Sequence, residues 1–445
     1  MQSDGSRSPQ LIPADPGLPG LELAFDPDGV MDALAGRATG ADPPEKVRIT
    51  YVRYKPGTSC VVAYAFAFRG AEPPLAGYAK VYGDSDFEIA LAKVADRRWQ
   101  GERGLPAYLV LERERLILFF YPHDAELPGL RLFANPKGMQ RALYAHVRHR
   151  FPEDRWRISD SRLRVSLVRY KPEKRAVLRV ETKAIERDGE ERRNLVVYGR
   201  AYTAGLAAGR FDAMRSLEEQ ASVRGVRVPT ALACLPSEGV ILVDCLAGAP
   251  VTVPVLGADG SLPARIGAAL HRVHQCRPRG VERLARAKIM DGCAATAASI
   301  AAVAPGLAGP ARRVTETLRR LSARVPAGEE GLVHGDFHPG QILADGEDVG
   351  LLDFDRAHLG EVDEDLGNFR AHLLAAGGMD AGACDAVMEA MFAAHGRGWR
   401  RDSRATGFWT ATGLINLAVQ PFRTQEPAWH EQMSARLSLC EAILR

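Results

Sequence analysis

The sequence predicts an α+β protein made of a β-rich lobe, a second β-rich lobe and a mainly helical lobe, and three observations predict it. A strand-forming stretch occurs twice in the same internal order. Beyond about residue 251 the pattern changes to long Ala- and Leu-rich helical stretches, such as ARIGAALHRVH and the run from Met290 to Val303. A single short strand-rich stretch, Val333 to Leu352, interrupts the helical part, and the residues capable of chemistry gather around it.

The lead-in over 1–45 is rich in Pro, Gly and Asp without sustained periodicity, so it is expected to be loosely ordered, with the ordered chain starting near Val47. The duplication follows. VRYKPGTSCVVAYAFAF at Val52 to Phe68 matches VRYKPEKRAVLRVETKA at Val168 to Ala184, beginning with an identical VRYKP. The match continues in order: GYAKVY from Gly77 against VYGRAY from Val197, Phe87 and Glu88 against Phe211 and Asp212, LPAYLV from Leu105 against VPTALA from Val228, and LILFFYPHD from Leu116 against VILVDCLAG from Val240. Each copy reads as strands, a helix and two further apolar strands. The charged ERDGEERR before the second VVYGRAY reads as a hairpin tip. The expected domains are therefore 46–155, 156–250 and a helical lobe over 251–445.

Composition narrows the class. A chain of 445 residues exceeds what one core organises, which favours several subdomains around a cleft. With 46% hydrophobic and 25% charged residues the balance is that of a globular protein. A net charge of +3 is too small to argue for nucleic acid, and the Arg-rich stretches at 145–175 and 183–193 read as solvated faces. The N-terminus has no basic segment followed by an apolar run, so no signal or membrane anchor is expected and the cytoplasm is the expected location. The seven cysteines are scattered, without a Cys-x-x-Cys pair, and read as reduced packing residues.

The chemistry is concentrated in LVHGDFHPGQILADGEDVGLLDFD, Leu332 to Asp355. Its spacing follows the kinase catalytic-loop pattern His-Arg-Asp-Leu-x-x-x-Asn and the metal-binding Asp beyond it. His334, Asp336 and Gln341 take the places of the His, the Asp and the Asn, and Asp353 follows the apolar VGLL. Phosphoryl transfer needs a carboxylate beside the acceptor hydroxyl, which Asp336 supplies. It also needs hard oxygen ligands for Mg²⁺, a carboxylate from Asp353 and an amide oxygen from Gln341. Asp355 is grouped with this metal set, although the residues alone also allow a carboxylate behind the metal, a substrate contact or a solvated loop position.

HGDFHPGQIL, LLDFD and the following EDLGNF resemble the aminoglycoside phosphotransferase and choline kinase-like superfamily of small-molecule kinases, over about residues 160–445. The resemblance implies a bilobal protein-kinase-like fold, preceded here by a duplicated N-lobe-like domain. It also implies ATP or GTP and Mg²⁺ as cofactors and a small-molecule hydroxyl acceptor as partner, without nucleic acid or membrane. By the same resemblance Asp336 is the catalytic carboxylate, Gln341 and Asp353 hold metal, Asp365 braces the catalytic loop and His338 orients it. The adenine hinge falls on Val243, Asp244, Cys245 and Leu246.

Two positions depart from the family pattern. Gln341 stands for Asn, as it does in the maltokinase branch. Arg200 stands for the strand Lys that binds phosphates, with Asp212 as its helix partner, whereas the first copy keeps Lys80 and Glu88. Neither copy has a Gly-rich phosphate loop. In its place stand KPGTSC and KPEKRA, whose Lys55 or Lys171 would reach phosphate if these are more than plain β-turns. The rival readings are a degenerate kinase that binds nucleotide or a partner without turnover, and a protein kinase. The latter is disfavoured because no DFG triplet or long activation segment follows Asp353. His271 and His274 read as packing residues rather than metal ligands, and Phe408, Trp409, Phe422 and Trp429 as packing aromatics.

Overall fold

Strand β2 (Ser59–Phe68) lies between β1 (Lys46–Lys55) and β3 (Ala71–Tyr82), and its residues Cys60 to Tyr64 are all buried. A continuous apolar run of that kind forms a central strand covered on both faces. The computed structural model describes residues 14–35, 43–95, 99, 101, 105–147, 150–377, 379–396 and 403–445. They form two units, the first containing residues up to Ala125 together with 298–308 and 421–430, the second the remainder.

In the first unit, short helices α1 (Leu21–Ala24) and α2 (Pro27–Ala35) precede the sheet. After β3 come helix α3 (Asp84–Ala95) and strands β4 (Tyr108–Leu111) and β5 (Leu116–Phe120), giving the order β1-β2-β3-β5-β4. The expectation of a loosely ordered lead-in is corrected for residues 14–35, and the rest of that segment up to Ala41 and Asp42 lies mainly outside the described residues. Leu18, Leu21, Ala24, Phe25, Val30 and Leu34 are buried, and the Tyr64 hydroxyl donates to the Ala24 carbonyl at 2.6 Å. Pro and Gly there punctuate an apolar pattern too short to register as periodicity.

In the second unit, α4 (Leu130–Phe133) and α5 (Pro136–Val147) lead into β6 (Trp156–Ile158), β7 (Arg164–Lys171), β8 (Arg175–Glu186) and β9 (Arg192–Tyr202). Helix α6 (Ala207–Val223) and strands β10 (Ala231–Leu235) and β11 (Val240–Asp244) follow. The division from the first unit lies at Ala125, ahead of the expected 155. Helices α4 and α5 belong with the second sheet: Gly199 on β9 leaves room for the Phe133 ring, and the Ile158 amide donates to the Tyr144 hydroxyl at 2.5 Å.

Strands β7 to β11 pair in the order β7-β8-β9-β11-β10, with β6 also on β8. Along β8, Ala176, Leu178, Val180, Thr182 and Ala184 alternate inward, the period-two pattern of a strand with one covered face. Lys80 lies opposite Val61 and Ile117 in the first sheet, and Arg200 lies opposite Val177 and Ile241 in the second. The expected hairpin tip is formed by the residues between Glu186 and Arg192.

The chain then continues through β12 (Ala249–Pro250), α7 (Val253–Ala258), α8 (Leu262–His274), α9 (Arg286–Val303) and α10 (Ala308–Ser322). Four short strands follow, β13 (Glu330–Val333), β14 (Ile342–Asp345), β15 (Asp348–Leu351) and β16 (His358–Glu361). Helices α11 (Asp363–Ala376), α12 (Ala381–Ala394), α13 (Arg404–Ala418), α14 (Gln420–Arg423) and α15 (Trp429–Ile443) complete it. Leu262, Ile266, Leu270 and Val273 fall on one face of α8 and join Phe337, Ile342, Leu351, Phe369 and Met388 in a shared core. Each such side chain contributes about 1.5–3 kcal/mol by leaving water. Helices α11 and α13 pack through glycine: a Cβ on Gly413 would stand 2.7 Å from the Ala371 Cβ, and one on Gly367 would meet Trp409. Phe408, Trp409, Phe422 and Trp429 are buried as expected. No helix among the described residues is long and apolar enough to cross a membrane.

Candidate active site

Strand β13 pairs antiparallel with β16, Val333 opposite His358, and that pairing fixes both ends of the catalytic segment. His334, fully buried, leaves β13. Its Nε2 donates to the Leu352 carbonyl at 2.6 Å and its Nδ1 accepts the Asp336 amide at 3.3 Å, so one imidazole ties together the loop and the end of β15. Gly335 has φ +76 and passes against the Arg356 carbonyl, a place with no room for a Cβ.

Asp365 at the start of α11 clamps this loop. Its carboxylate accepts the His334 amide at 2.7 Å and the Gly335 amide at 3.0 Å, and it takes a third bond from His274 Nε2 at 3.0 Å. Burial alone would raise its pKa, but His274, His334 and the loop amides hold it below the ordinary carboxylate value. His274 is itself bonded through Nδ1 to His395 Nε2 at 2.8 Å. The Asn368 amide adds a bond to the Phe337 carbonyl at 3.0 Å.

With the loop held, the Asp336 carboxylate faces Arg356, Oδ1 to Nη1 3.6 Å. His338 accepts the Gly340 amide on Nδ1 at 3.1 Å and stacks on His372 at a ring separation of 4.3 Å. Burial lowers the pKa of both rings, with His334 and Arg169 adding to it at His338, and burial plus His338 takes His372 down to about 3.

Gln341 follows in a short turn and is nearly buried, its carbonyl accepting the Leu352 amide at 2.9 Å. A cavity of about 410 Å³ brings together much of the expected nucleotide set: Arg200, Val243, Asp244, Cys245, Leu246, Gln341 and Asp353. Its apolar walls include Val168, Val177 and Leu343.

Asp353 has φ 58 and ψ 61, the left-handed region that a side-chain-bearing residue seldom occupies. Its oxygens meet two guanidinium groups: Arg175 Nη2 lies 3.2 Å from Oδ2, and Arg200 pairs with Oδ1. Burial works against the charge, yet Arg200 and Arg175 hold the carboxyl down at about 2. Asp355 is bonded by Arg175 at 2.5 Å and by the Tyr202 hydroxyl at 2.9 Å, with Arg200 and Arg210 each at 3.4 Å. It lines a neighbouring cavity of about 580 Å³ and is not in the lining of the 410 Å³ cavity. This geometry makes Asp355 the centre of an ion cluster, which rules out the solvated loop position among the alternatives.

The expected pairing of Arg200 with Asp212 is corrected. Asp212 is exposed on α6, and the Arg200 guanidinium is bonded to Asp353 and Asp355 instead. The longer Arg reaches past the helix to the acids below it, a difference in reach that spacing along the chain does not encode. Lys171 starts a hydrogen-bonded turn, the Lys174 amide donating to its carbonyl at 3.0 Å, with Pro172 next and Glu173 at φ 60. Burial and the neighbouring Arg169 and Arg175 push the Lys171 ammonium down to about 8.

Sequence reading missed Arg175, Tyr202, Arg210, Arg356 and His372. The position of Tyr202 after the strand cation, matched by Tyr82 in the first copy, was the one available signal.

A divalent ion that grips phosphates needs hard oxygen donors, and Asp353 and Gln341 offer them in one cavity. Among the described residues no group of three or more His, Cys, Asp or Glu side chains forms a ready-made metal cage. The donor chemistry fits magnesium with phosphate completing its shell, provided that Arg175 and Arg200 turn from Asp353 to the phosphates.

Similar solved structures include the choline kinase from Cryptosporidium parvum Iowa II, at 9% identity and a TM-score of 0.49, covering 69% of this chain and 95% of that one. A choline/ethanolamine kinase family protein from Mesorhizobium loti has 19% identity and a TM-score of 0.43, covering 59% and 85%. The aminoglycoside phosphotransferase APH(3'')-Id from Streptomyces rimosus has 17% identity and a TM-score of 0.40, covering 60% and 95%. No curated protein matches the chain. The model of the phosphotransferase enzyme family matches residues 157–404, more than half of the sequence and the whole of the catalytic segment, and the chain therefore belongs to that family.

Proposed function

We propose that this chain is a nucleoside-triphosphate-dependent kinase that transfers the γ-phosphoryl group to a hydroxyl of a small molecule. The observation that carries this reading is the clamped catalytic loop. Asp365 fixes the His334 and Gly335 amides immediately before Asp336, and the same catalytic segment contributes Gln341 and Asp353 to the cavity that Arg200 also lines. Asp336 accepts the acceptor's proton as the oxygen attacks phosphorus. The hinge residues 243–246 receive the base, while Arg175, Arg200 and Lys171 neutralise the phosphates. Asp353 and Gln341 would hold magnesium, which when bound would neutralise charge on the phosphates. His334 and His338 hold the loop rather than move protons.

We also read the first sheet as a duplicated nucleotide-lobe that has no catalytic loop of its own, on the support of the shared strand order and of Lys80 and Arg200 at equivalent register positions. The three-lobe reading, expected at 46–155, 156–250 and 251–445, is kept with its first boundary moved to Ala125, so that α4 and α5 go with the second lobe. The seven cysteines, all free, suit a reducing compartment and so a cytoplasmic location.

A second reading, a binding protein without turnover, is favoured by one observation: Asp353 is already compensated by Arg175 and Arg200. Nucleotide consumption with Mg²⁺ across sugars, aminoglycosides and amino alcohols, run beside Asp336→Ala, separates the two. Acceptor-dependent turnover that disappears in the variant is the expected result. Nucleotide binding without turnover on any acceptor selects the second reading.

A further inference from the structure

The charge around Asp336 differs from what a cationic acceptor requires. The only side chain paired with Asp336 among the described residues is Arg356, whose own side chain is 65% exposed and has no second partner there. Lys171, half-buried and without a salt-bridge partner among those residues, lies within electrostatic reach of Asp336, Arg169, Arg175 and Arg356. His338 and His372, both within electrostatic reach of Asp336, stack on each other, and Arg436, anchored through Nη1 to the Leu417 carbonyl at 2.7 Å, bears on His372.

The carboxylates that would receive a cation are committed elsewhere. Glu361 binds Arg286 and the Gly328 amide, Glu364 binds His358 at 3.1 Å, and Asp365 holds the loop; Asp363 is engaged as well. The neighbouring cavity of about 580 Å³ is lined by Arg210, Arg283 and Arg356, with Asp355 and Glu282 as its acids. Asp355 is held by its arginine partners, and Arg283 is bonded to Glu330 at 2.8 Å.

We propose that the acceptor is an anionic hydroxy compound, a hydroxy acid or a phosphorylated polyol, whose oxyanion is received by Arg356. This rests on the phosphotransferase reading. An oxyanion on Arg356 draws the guanidinium off Asp336 and leaves that carboxylate open to the acceptor hydroxyl. The hydroxyl oxygen then forms its bond to the γ-phosphorus while the bond from phosphorus to the β,γ-bridging oxygen breaks. The electron pair leaves with the nucleoside diphosphate, and the proton goes to Asp336. A choline-like or aminoglycoside cation would instead meet the Arg356 guanidinium at Asp336, and like charge would oppose it.

The test is nucleoside diphosphate release by the full-length protein with glycerate, gluconate and glycerol 3-phosphate as anionic probes, glucose as a neutral one, and choline and kanamycin as cationic ones. Arg356→Glu and Arg356→Lys are assayed alongside. The expected result is turnover confined to anionic probes, with KM for the acceptor raised at least about tenfold in Arg356→Glu, largely kept in Arg356→Lys, and KM for the nucleotide little changed. Turnover of choline, kanamycin or glucose, unaffected by Arg356→Glu, overturns the anionic acceptor and leaves the phosphotransferase reading standing. Nucleotide binding without turnover on any probe overturns both.

Discussion

Arg175 of β8 reaches Asp353 across 178 positions of sequence, its Nη1 3.3 Å from Oδ1 and its Nη2 3.2 Å from Oδ2. The same guanidinium bonds Asp355 at 2.5 Å, so one side chain joins the sheet to both acids beyond β15. A nucleotide entering this cleft offers phosphate oxygens to a fork that carboxylates already occupy.

Arg175 is therefore expected to serve the nucleotide. Arg175→Gln should raise KM for the nucleotide by about tenfold or more, close to one charge-assisted hydrogen bond. KM for the acceptor should stay nearly constant, and steady-state kinetics with each substrate varied separately checks this.

On the proposed reading Lys171 is expected to make the reaction sensitive to alkali. An ammonium held at about 8 is charged below that pH and neutral above it, so its attraction for phosphate fades as pH rises through about 8. The nucleotide kcat/KM, which reports the free enzyme, should fall by about tenfold between about pH 7 and about pH 10. In Lys171→Arg the fall should vanish, because a guanidinium does not titrate in that range.

Asp365 should matter to both stability and turnover. Asp365→Asn leaves one acceptor oxygen where two loop amides and His274 now converge. The expected cost is about 2 kcal/mol in urea unfolding. A fall in kcat of about a hundredfold should accompany it, as Asp336 loses its fixed position. His274→Ala should reproduce part of both effects, since His274 is the side chain that faces Asp365 from α8.

The contact between α11 and α13 places that clamp. Gly413→Val would force its side chain into Ala371 and Asn368, so a loss of about 1–3 kcal/mol is expected in thermal or urea unfolding. The shift reaches the catalytic loop through Asn368, which bonds the Phe337 carbonyl, and kcat should fall while nucleotide KM holds.

The catalytic loop was legible because its chemistry is local. His334, Asp336, Gln341 and Asp353 lie within one hairpin-sized stretch, and the spacing that matches the family pattern is displayed directly in the sequence. Arg200 was found by aligning the repeat, and it lies opposite Val177 and Ile241 as Lys80 lies opposite Val61 and Ile117. Its partner was not legible, because an ion pair depends on where two long side chains point after the lobes have packed. Arg175 and Arg210 were hidden for the same reason: each sits in an unremarkable strand or helix, and only the third dimension brings them to Asp355. His274 was read as packing, yet it closes a bond 91 positions away on Asp365.

On the proposed phosphotransferase reading, the left-handed backbone at Asp353 sets how that activity would be lost in evolution. Asn tolerates φ 58 as well as Asp does, and the two codons differ by a single base. An Asn at 353 would keep the turn and leave Asp355 to hold Arg175, Arg200 and Arg210. Catalysis would be lost at one step while the fold persisted, so inactive descendants of this gene should be recognisable by an intact clamp at Asp365 beside an altered residue 353.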